Sequence, residues 1–220
     1  MSSITIYGVG RSRASRNIWL CYEMGIAFEH IPVIQAYRLE NPDAPDAPLN
    51  TRSPQFRKVN PNGHIPSMAD GDLVLHESLA INIYLARKFG GPLAPKDVGE
   101  EGLLAMWTLW AATEAEPHSI QILYHRTMRP EAERDPVIAA AAIEALKAPF
   151  AVLDGALAET GFIMGGRFTV ADINVAEVMR WALPATELFA SAPNVKKWLE
   201  AAHARPAYQK MMEVRNGEPV

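Results

Sequence analysis

Two short stretches of this 220-residue chain carry residues whose types and spacing suit chemistry. The first is Ser12-Arg13-Ala14-Ser15-Arg16, just ahead of a helical pattern that puts Ile18, Cys21 and Tyr22 on one face. A hydroxyl at a helix N-terminus with two arginines beside it can donate a hydrogen bond to an anion and hold it in positive potential. The same serine can simply cap the helix, and the local residues leave both readings open. The second stretch is Glu77-Ser78, immediately before the apolar positions Leu79, Ile81, Ile83, Leu85 and Ala86. It puts a carboxylate and a hydroxyl at a helix start, where unpaired N–H groups suit an anionic ligand group. A third set, Trp107, Trp110, Glu114 and His118, is spaced at three or four residues and so shares one broad helical face. Tryptophans at such spacing more often serve a core than a pocket. Glu114-x-x-x-His118 lacks two further ligands at useful spacing, so no metal centre is expected.

The elements that must position these residues read as follows. Ile4 and Ile6 alternate with Thr5 and Tyr7 as a strand, and Gly25 stops the first helix. Ala27 to Val33 reads as a second strand, which completes a βαβ unit. Residues 35–57 are poor in periodicity and rich in proline, with one short helix predicted near Ser53–Lys58. Next come Ile65-Pro66, a tight turn at Asp70-Gly71-Asp72 between two short strands, and the helix after Ser78. Breakers from Gly90 to Gly99 mark the best domain boundary. Beyond it only helices are predicted. One covers residues 100–128 and is kinked or split by Pro117, and an alanine-rich one covers 135–157 despite Pro149. A third opens on a capping-box-like Thr169-Val170-Ala171-Asp172 and runs to Trp181, and a last one covers 195–204, limited by Pro206.

The order Asn60-Pro61-x-Gly63-x-Ile65-Pro66, then Asp70-Gly71-Asp72, then Glu77-Ser78-x-Ala80-Ile81-x-x-Tyr84-Leu85 resembles the glutathione-binding half of the cytosolic glutathione transferase family. Tyr7-x4-Ser12-x-x-Ser15-Arg16 is similar to its serine-type, theta- or zeta-like members. The resemblance implies a thioredoxin-like N-terminal domain (residues 1–89), a linker (90–98) and an all-α helical-bundle domain (99–220). It further implies that Pro66 is cis, that the Ile65 backbone pairs with the cysteinyl backbone of glutathione, and that Glu77 and Ser78 hold its γ-glutamyl end. The catalytic serine falls on Ser12, stabilising the glutathione thiolate. His64 stands where relatives carry lysine or glutamine toward the glycyl carboxylate, with Lys58 and Arg38 as other candidates. Tyr7 and Ser15 are rivals for the thiolate. Cys21 lies too far along the helix to replace a catalytic cysteine, and without Cys-x-x-Cys there is no dithiol cycle. An electrophile pocket is expected against Trp107, Trp110, Glu114 and His118, with His125-Arg126 nearby. Thr169 and Asp172 have a structural role in the family.

A thiol of pKa roughly 8.5 needs about 1.4 kcal/mol of preference for its anion per unit of depression. One charge-assisted hydrogen bond contributes about 1.5–3 kcal/mol, so Ser12 with a helix terminus suffices for one to two units. The implied function is that of a detoxifying glutathione transferase attacking a hydrophobic, electrophilic small molecule. Glutathione is a co-substrate, and no cofactor is implied. An isomerase, lyase or peroxidase on the same site is the nearest alternative, and a non-catalytic binding or scaffold protein the more distant one. Composition agrees with a globular chain: 49% hydrophobic, 21% charged, formal net charge −4, which argues against a nucleic-acid partner. No membrane span, signal peptide or internal disulfide is expected with a single cysteine, so a cytoplasmic protein is predicted. The family also implies a two-fold homodimer using the Glu77–Phe89 region and the helix after Gly99.

Overall fold

The computed structural model describes residues 4–218. The chain begins β1 (Ile4–Tyr7), α1 (Ala14–Met24), β2 (Phe28–Ile31), α2 (Pro54–Val59), β3 (Ser67–Asp70), β4 (Leu73–His76) and α3 (Ser78–Phe89). It continues with α4 (Val98–Trp110), α5 (Glu116–Leu123), α6 (Pro136–Thr160), α7 (Val170–Met179), α8 (Thr186–Ser191), α9 (Pro193–His203) and α10 (Pro206–Gly217). Packing divides it into two compact units, one running through Phe89 and taking in the chain from Pro206 on, the other covering Gly90–Arg205.

In the first unit one sheet has the order β2-β1-β3-β4. β1 pairs in parallel with β2, which requires the α1 crossover, and antiparallel with β3, while β3 and β4 form a hairpin closed at Gly71-Asp72. Ile4, Ile6, Ile18, Leu20, Met68, Ile81 and Leu85 form the core between sheet and helices. This is the thioredoxin-like arrangement expected. The second strand is shorter than predicted, because Ile34 leaves the ladder for a single bridge to Asn50 that ties down the proline-rich segment. The short predicted helix appears as α2 with Pro54 in its first turn.

The second unit is helical throughout. Pro117 splits the long predicted helix in a specific way. Proline has no N–H and its ring clashes with the carbonyl four residues back. The chain responds with a π turn at Ala111–Ala115 before α5 begins, and a second one follows at Tyr124–Met128. α7 is buried along its whole length and is the unit's central helix. By length and composition alone α6 could cross a membrane, contrary to the sequence expectation that no stretch would qualify. Within the unit it is a bundle helix. Leu146, Phe150, Leu153 and Leu157 are buried, and its Asp154 accepts the N–H groups of Asn194 and Val195 at the start of α9.

Two boundaries differ from the sequence reading. The segment from Gly90 to Asp97, expected as part of a linker, packs within the second unit: Leu93 and Ala94 are buried, and the Leu93 carbonyl accepts the Val170 N–H. Pro206, a stop by sequence, starts another helix, because a first-turn proline loses no intrahelical bond. That helix, α10, lies along α1 in the first unit, with Tyr208 edge-on to Trp19 at 5.0 Å and Lys210 over the Tyr22 ring at 4.3 Å. The expected span 99–220 for the second domain therefore ends too late. α8 also escaped the sequence reading, being only six residues long.

Candidate active site

Ser12 sits in the turn between β1 and α1. Its Oγ accepts the Ala14 N–H at 3.0 Å, and its hydroxyl donates to the Val9 carbonyl at 2.6 Å. It is half-buried, so the oxygen caps the helix start while remaining reachable. Gly8 explains how this turn meets the next piece of the site. A Cβ there would stand 3.1 Å from Ala14 Cβ and 3.2 Å from Ile65 Cβ, with φ at +137°. Glycine thus lets the Ile65-Pro66 loop close down on the Ser12 turn.

The Ile65-Pro66 bond is cis, as the resemblance implied. Neither the N–H nor the C=O of Ile65 makes a hydrogen bond within the described residues, so both are open to a ligand backbone. Buried Asn60 shapes this loop. Its amide donates to the His64 carbonyl at 2.8 Å and to Ser67 Oγ at 3.2 Å, and its Oδ1 accepts the Asn62 N–H. Gly63 has φ +64°, and a Cβ there would lie 2.8 Å from the Thr51 carbonyl oxygen. The His64 ring is exposed, as is Lys58. Arg38 donates to the Arg11 carbonyl at 3.4 Å, on the turn that carries Ser12.

Glu77 is the one non-glycine among the described residues with positive φ, +68°. Such a backbone costs about 1–3 kcal/mol and persists where surroundings or function demand it. Its carbonyl starts α3 by accepting the Ile81 N–H, and its carboxylate is exposed with no partner among the described residues. Ser78, 3% exposed, accepts from buried Arg16 at 3.0 Å. Asn17 donates to the Ser78 carbonyl at 2.8 Å and to Asn82 Oδ1 at 2.7 Å. Asn82 in turn donates to the Arg16 carbonyl. The starts of α1 and α3 are therefore sewn together, and Ser12, Ile65, Pro66, Glu77 and Ser78 fall into one neighbourhood.

The rivals Tyr7 and Ser15 are held differently from Ser12. Tyr7 is a sheet residue paired with Ile31 and Ser67, and its ring packs near Phe56 at 6.4 Å. Ser15 is buried inside α1. Burial pushes the Cys21 thiol up to about 12, so it stays protonated and inert. The C-terminal segment adds contacts that sequence reasoning missed. Glu218 accepts the Gly10 N–H at 2.6 Å, and Arg11 Nε donates to the Arg215 carbonyl at 3.2 Å. His30 Nε2 lies 2.7 Å from the Gly8 carbonyl oxygen and 3.6 Å from Glu218. Burial pushes the Glu218 carboxyl up, against the Gly10 N–H, His30 and Arg11, which favour its charge.

In the second unit the four expected pocket residues do not behave as one face. Trp107 is buried and stands edge-on to Trp110 at 5.2 Å, while Glu114 is exposed and His118 half-buried. The π turn holding Glu114 breaks the helical phase on which the common face depended. His125 is structural: its Nδ1 accepts the Asp135 N–H at 2.9 Å. Arg126 pairs with Glu187 at 2.9 Å. No group of three or more His, Cys, Asp or Glu side chains that could hold a metal occurs among the described residues.

Residues 12–88 match the family model "Glutathione S-transferase, N-terminal domain", and residues 117–206 match "Glutathione S-transferase, C-terminal domain". Glutathione S-transferase 3 of Zea mays is 31% identical, with 96% of this chain and 93% of that protein covered. Glutathione S-transferase GstB of Escherichia coli K12 is 28% identical, with 96% and 98% covered. Among solved structures, the theta class glutathione S-transferase from Xanthomonas axonopodis pv. citri with glutathione bound is 30% identical at a TM-score of 0.77, with 96% and 97% covered. Glutathione transferase F7 from Populus trichocarpa superposes at 0.82 with 26% identity, with 97% and 99% covered. With both halves matched and relatives aligned along nearly its full length, the chain belongs to the glutathione S-transferase family.

Proposed function

We propose that this glutathione transferase holds the thiolate on Ser12, with glutathione bound along Ile65, Pro66, Glu77 and Ser78, and delivers it to a hydrophobic electrophile. His64 and Arg38 are the groups offered to the glycyl carboxylate. The observation that carries the reading is the convergence of the Ser12 turn, an unspent Ile65 backbone and the strained Glu77-Ser78 helix start. The Ser12 hydroxyl must turn from the Val9 carbonyl to reach a sulfur, while the Ala14 N–H continues to hold its oxygen. The exchange gives up a neutral hydrogen bond of about 0.5–1.5 kcal/mol for a charge-assisted one of about 1.5–3. The net gain is about one pKa unit of thiol depression, the lower end of the sequence expectation.

Ser12→Ala should lower turnover roughly 10–1,000-fold, move the pH–rate curve upward and change glutathione affinity much less. Full activity and an unshifted profile in Ser12→Ala, with both lost in Tyr7→Phe, would transfer the role to Tyr7. The same reading makes the molecule a cytoplasmic homodimer. Leu73, Val74 and Phe89 of the first unit and Leu103, Met106 and Leu109 of α4 are exposed apolar residues that a second copy would cover. Sedimentation showing only monomer at micromolar concentration would count against the dimer.

A further inference from the structure

Glu218 stands 208 residues along the chain from Gly10, yet its carboxylate accepts the Gly10 N–H at 2.6 Å. That N–H belongs to the Val9–Gly10 peptide, whose other end is the Val9 carbonyl. The Val9 carbonyl accepts the Ser12 N–H at 3.1 Å and the Ser12 hydroxyl at 2.6 Å. One peptide group therefore carries the Glu218 carboxylate on its donor end and the Ser12 hydroxyl on its acceptor end. A peptide is a conjugated unit, so a carboxylate drawing on its N–H makes its oxygen the stronger acceptor. The effect is greatest where water is scarce, and here Val9 is buried and Glu218 half-buried.

The surroundings hold this contact from several sides. A Cβ on Gly10 would stand 3.1 Å from Arg215 Cα and 3.2 Å from Glu218 Oε2, so glycine is what lets the end of α10 close on the turn. Beside it, Arg11 Nε donates to the Arg215 carbonyl at 3.2 Å. From β2, His30 Nε2 lies 2.7 Å from the Gly8 carbonyl oxygen and 3.6 Å from Glu218 Oε1. Burial opposes the charged form of Glu218, while the Gly10 N–H, His30 and Arg11 favour it. Ser12 Oγ, for its part, keeps the Ala14 N–H at 3.0 Å whichever way its own proton points. What Glu218 can influence is therefore the direction of that proton, not the place of the oxygen.

We propose that Glu218 is a positioning residue for Ser12: through the Val9–Gly10 peptide its carboxylate holds the serine hydroxyl on the Val9 carbonyl and so restrains its turn toward the glutathione sulfur. The inference rests on the proposed thiolate role of Ser12 and adds a control on it from the C-terminal segment. Glu218 touches neither substrate nor sulfur; it sets the strength of the bond that Ser12 must give up. A carboxylate there makes Ser12 a weaker donor to the thiolate than a neutral group would. Removing the charge should therefore favour thiol ionisation, the reverse of what loss of a merely structural contact would do.

The test titrates glutathione bound to the full-length protein, following the ultraviolet absorbance of its thiolate as pH is varied. Glu218→Gln keeps an oxygen for the Gly10 N–H but removes the charge. It should lower the bound thiol pKa by about 0.3–0.5 unit, the scale set by a change of roughly 10–30% in one hydrogen bond. In a Ser12→Ala background the same substitution should move that pKa by less than about 0.1 unit, because no hydroxyl is left to release. A shift of equal size in that background would be a direct effect of charge on the sulfur and overturns the inference. So does a folded Glu218→Gln protein whose bound thiol pKa is unmoved or raised. Melting and circular dichroism check each variant. If Glu218→Gln does not fold, Glu218→Ala titrated in both backgrounds decides by the same criteria. Ser12→Ala alone separates the two readings. If it leaves the bound thiol pKa at the wild-type value, the Ser12 reading falls and this inference with it. If it raises that pKa while Glu218→Gln does nothing, the inference falls alone.

Discussion

The starts of α3 and α7 are both helix N-termini with a hydroxyl and a carboxylate, and they are put to opposite uses. At α7, Thr169 and Asp172 form a buried capping box whose hydrogen bonds close inside the unit. Asp172 accepts from the Thr169 N–H at 2.8 Å, Thr169 Oγ1 at 3.0 Å, the Ile163 N–H at 3.1 Å and Trp198 Nε1 at 2.9 Å. Burial pushes its carboxyl up while these four donors work the other way. At α3, Glu77 takes a left-handed backbone, leaves its carboxylate in solvent and caps nothing with its side chain. A closed, relaxed helix start holds the fold together. An open, strained one keeps its polar groups for something else. Polar residue types alone do not separate the two; where their hydrogen bonds end does.

This contrast can be broken by substitution. The largest effect should come from Asp172→Ala, which strands the Thr169, Ile163 and Trp198 donors in the interior. At about 1–3 kcal/mol per buried unpaired donor the loss should reach about 4 kcal/mol, read by denaturant unfolding. A loss below about 1 kcal/mol would show that the box is not structural. Glu77→Gly should do the reverse. Relief of the positive φ should leave stability unchanged or raised by about 0.5–1 kcal/mol, while glutathione affinity falls about 10–100-fold by calorimetry. A stability loss with intact binding would put Glu77 in the same class as Asp172.

The smallest effect concerns acid. Burial, with Arg180 adding to it and Glu177 opposing, pulls His203 down from 6.5 to about 4. The folded protein then keeps this ring neutral where the unfolded chain already takes up a proton. Stability should fall as pH drops from about 6.5 toward 4 and level off below, on the order of 1–2 kcal/mol in total. His203→Gln should flatten that limb of the stability curve without altering glutathione binding. An unchanged slope would show that His203 is protonated in the fold.

Much of the site was legible because its pieces lie close in sequence. Asn60 to Leu85 carry turn, strand and helix signals in fixed order, and the cis proline, the Asp70-Gly71-Asp72 turn and the Glu77-Ser78 junction are all local features. What escaped were partners joined across the chain. Arg16 and Asn17 meet Ser78 and Asn82 over more than sixty residues, and no periodicity reports such a bond. Gly8 looked like an ordinary loop glycine, and only the approach of Ile65 shows why nothing larger fits there. A shared face from Trp107 to His118 was not legible past Trp110, because the π turn at Ala111–Ala115 breaks the 3.6-residue period.

Helix α10 has a consequence for biosynthesis. Its partner α1 precedes the second unit along the chain, and the whole of that unit is made before α10 exists. Trp19, fully buried in the finished protein, must wait for Tyr208 to leave the ribosome before that side of α1 is covered. The turn carrying Ser12 waits longer still, for Arg215 and Glu218. Domains of a nascent chain ordinarily fold in the order they emerge. Here the unit that emerges first is completed only after the other has been made.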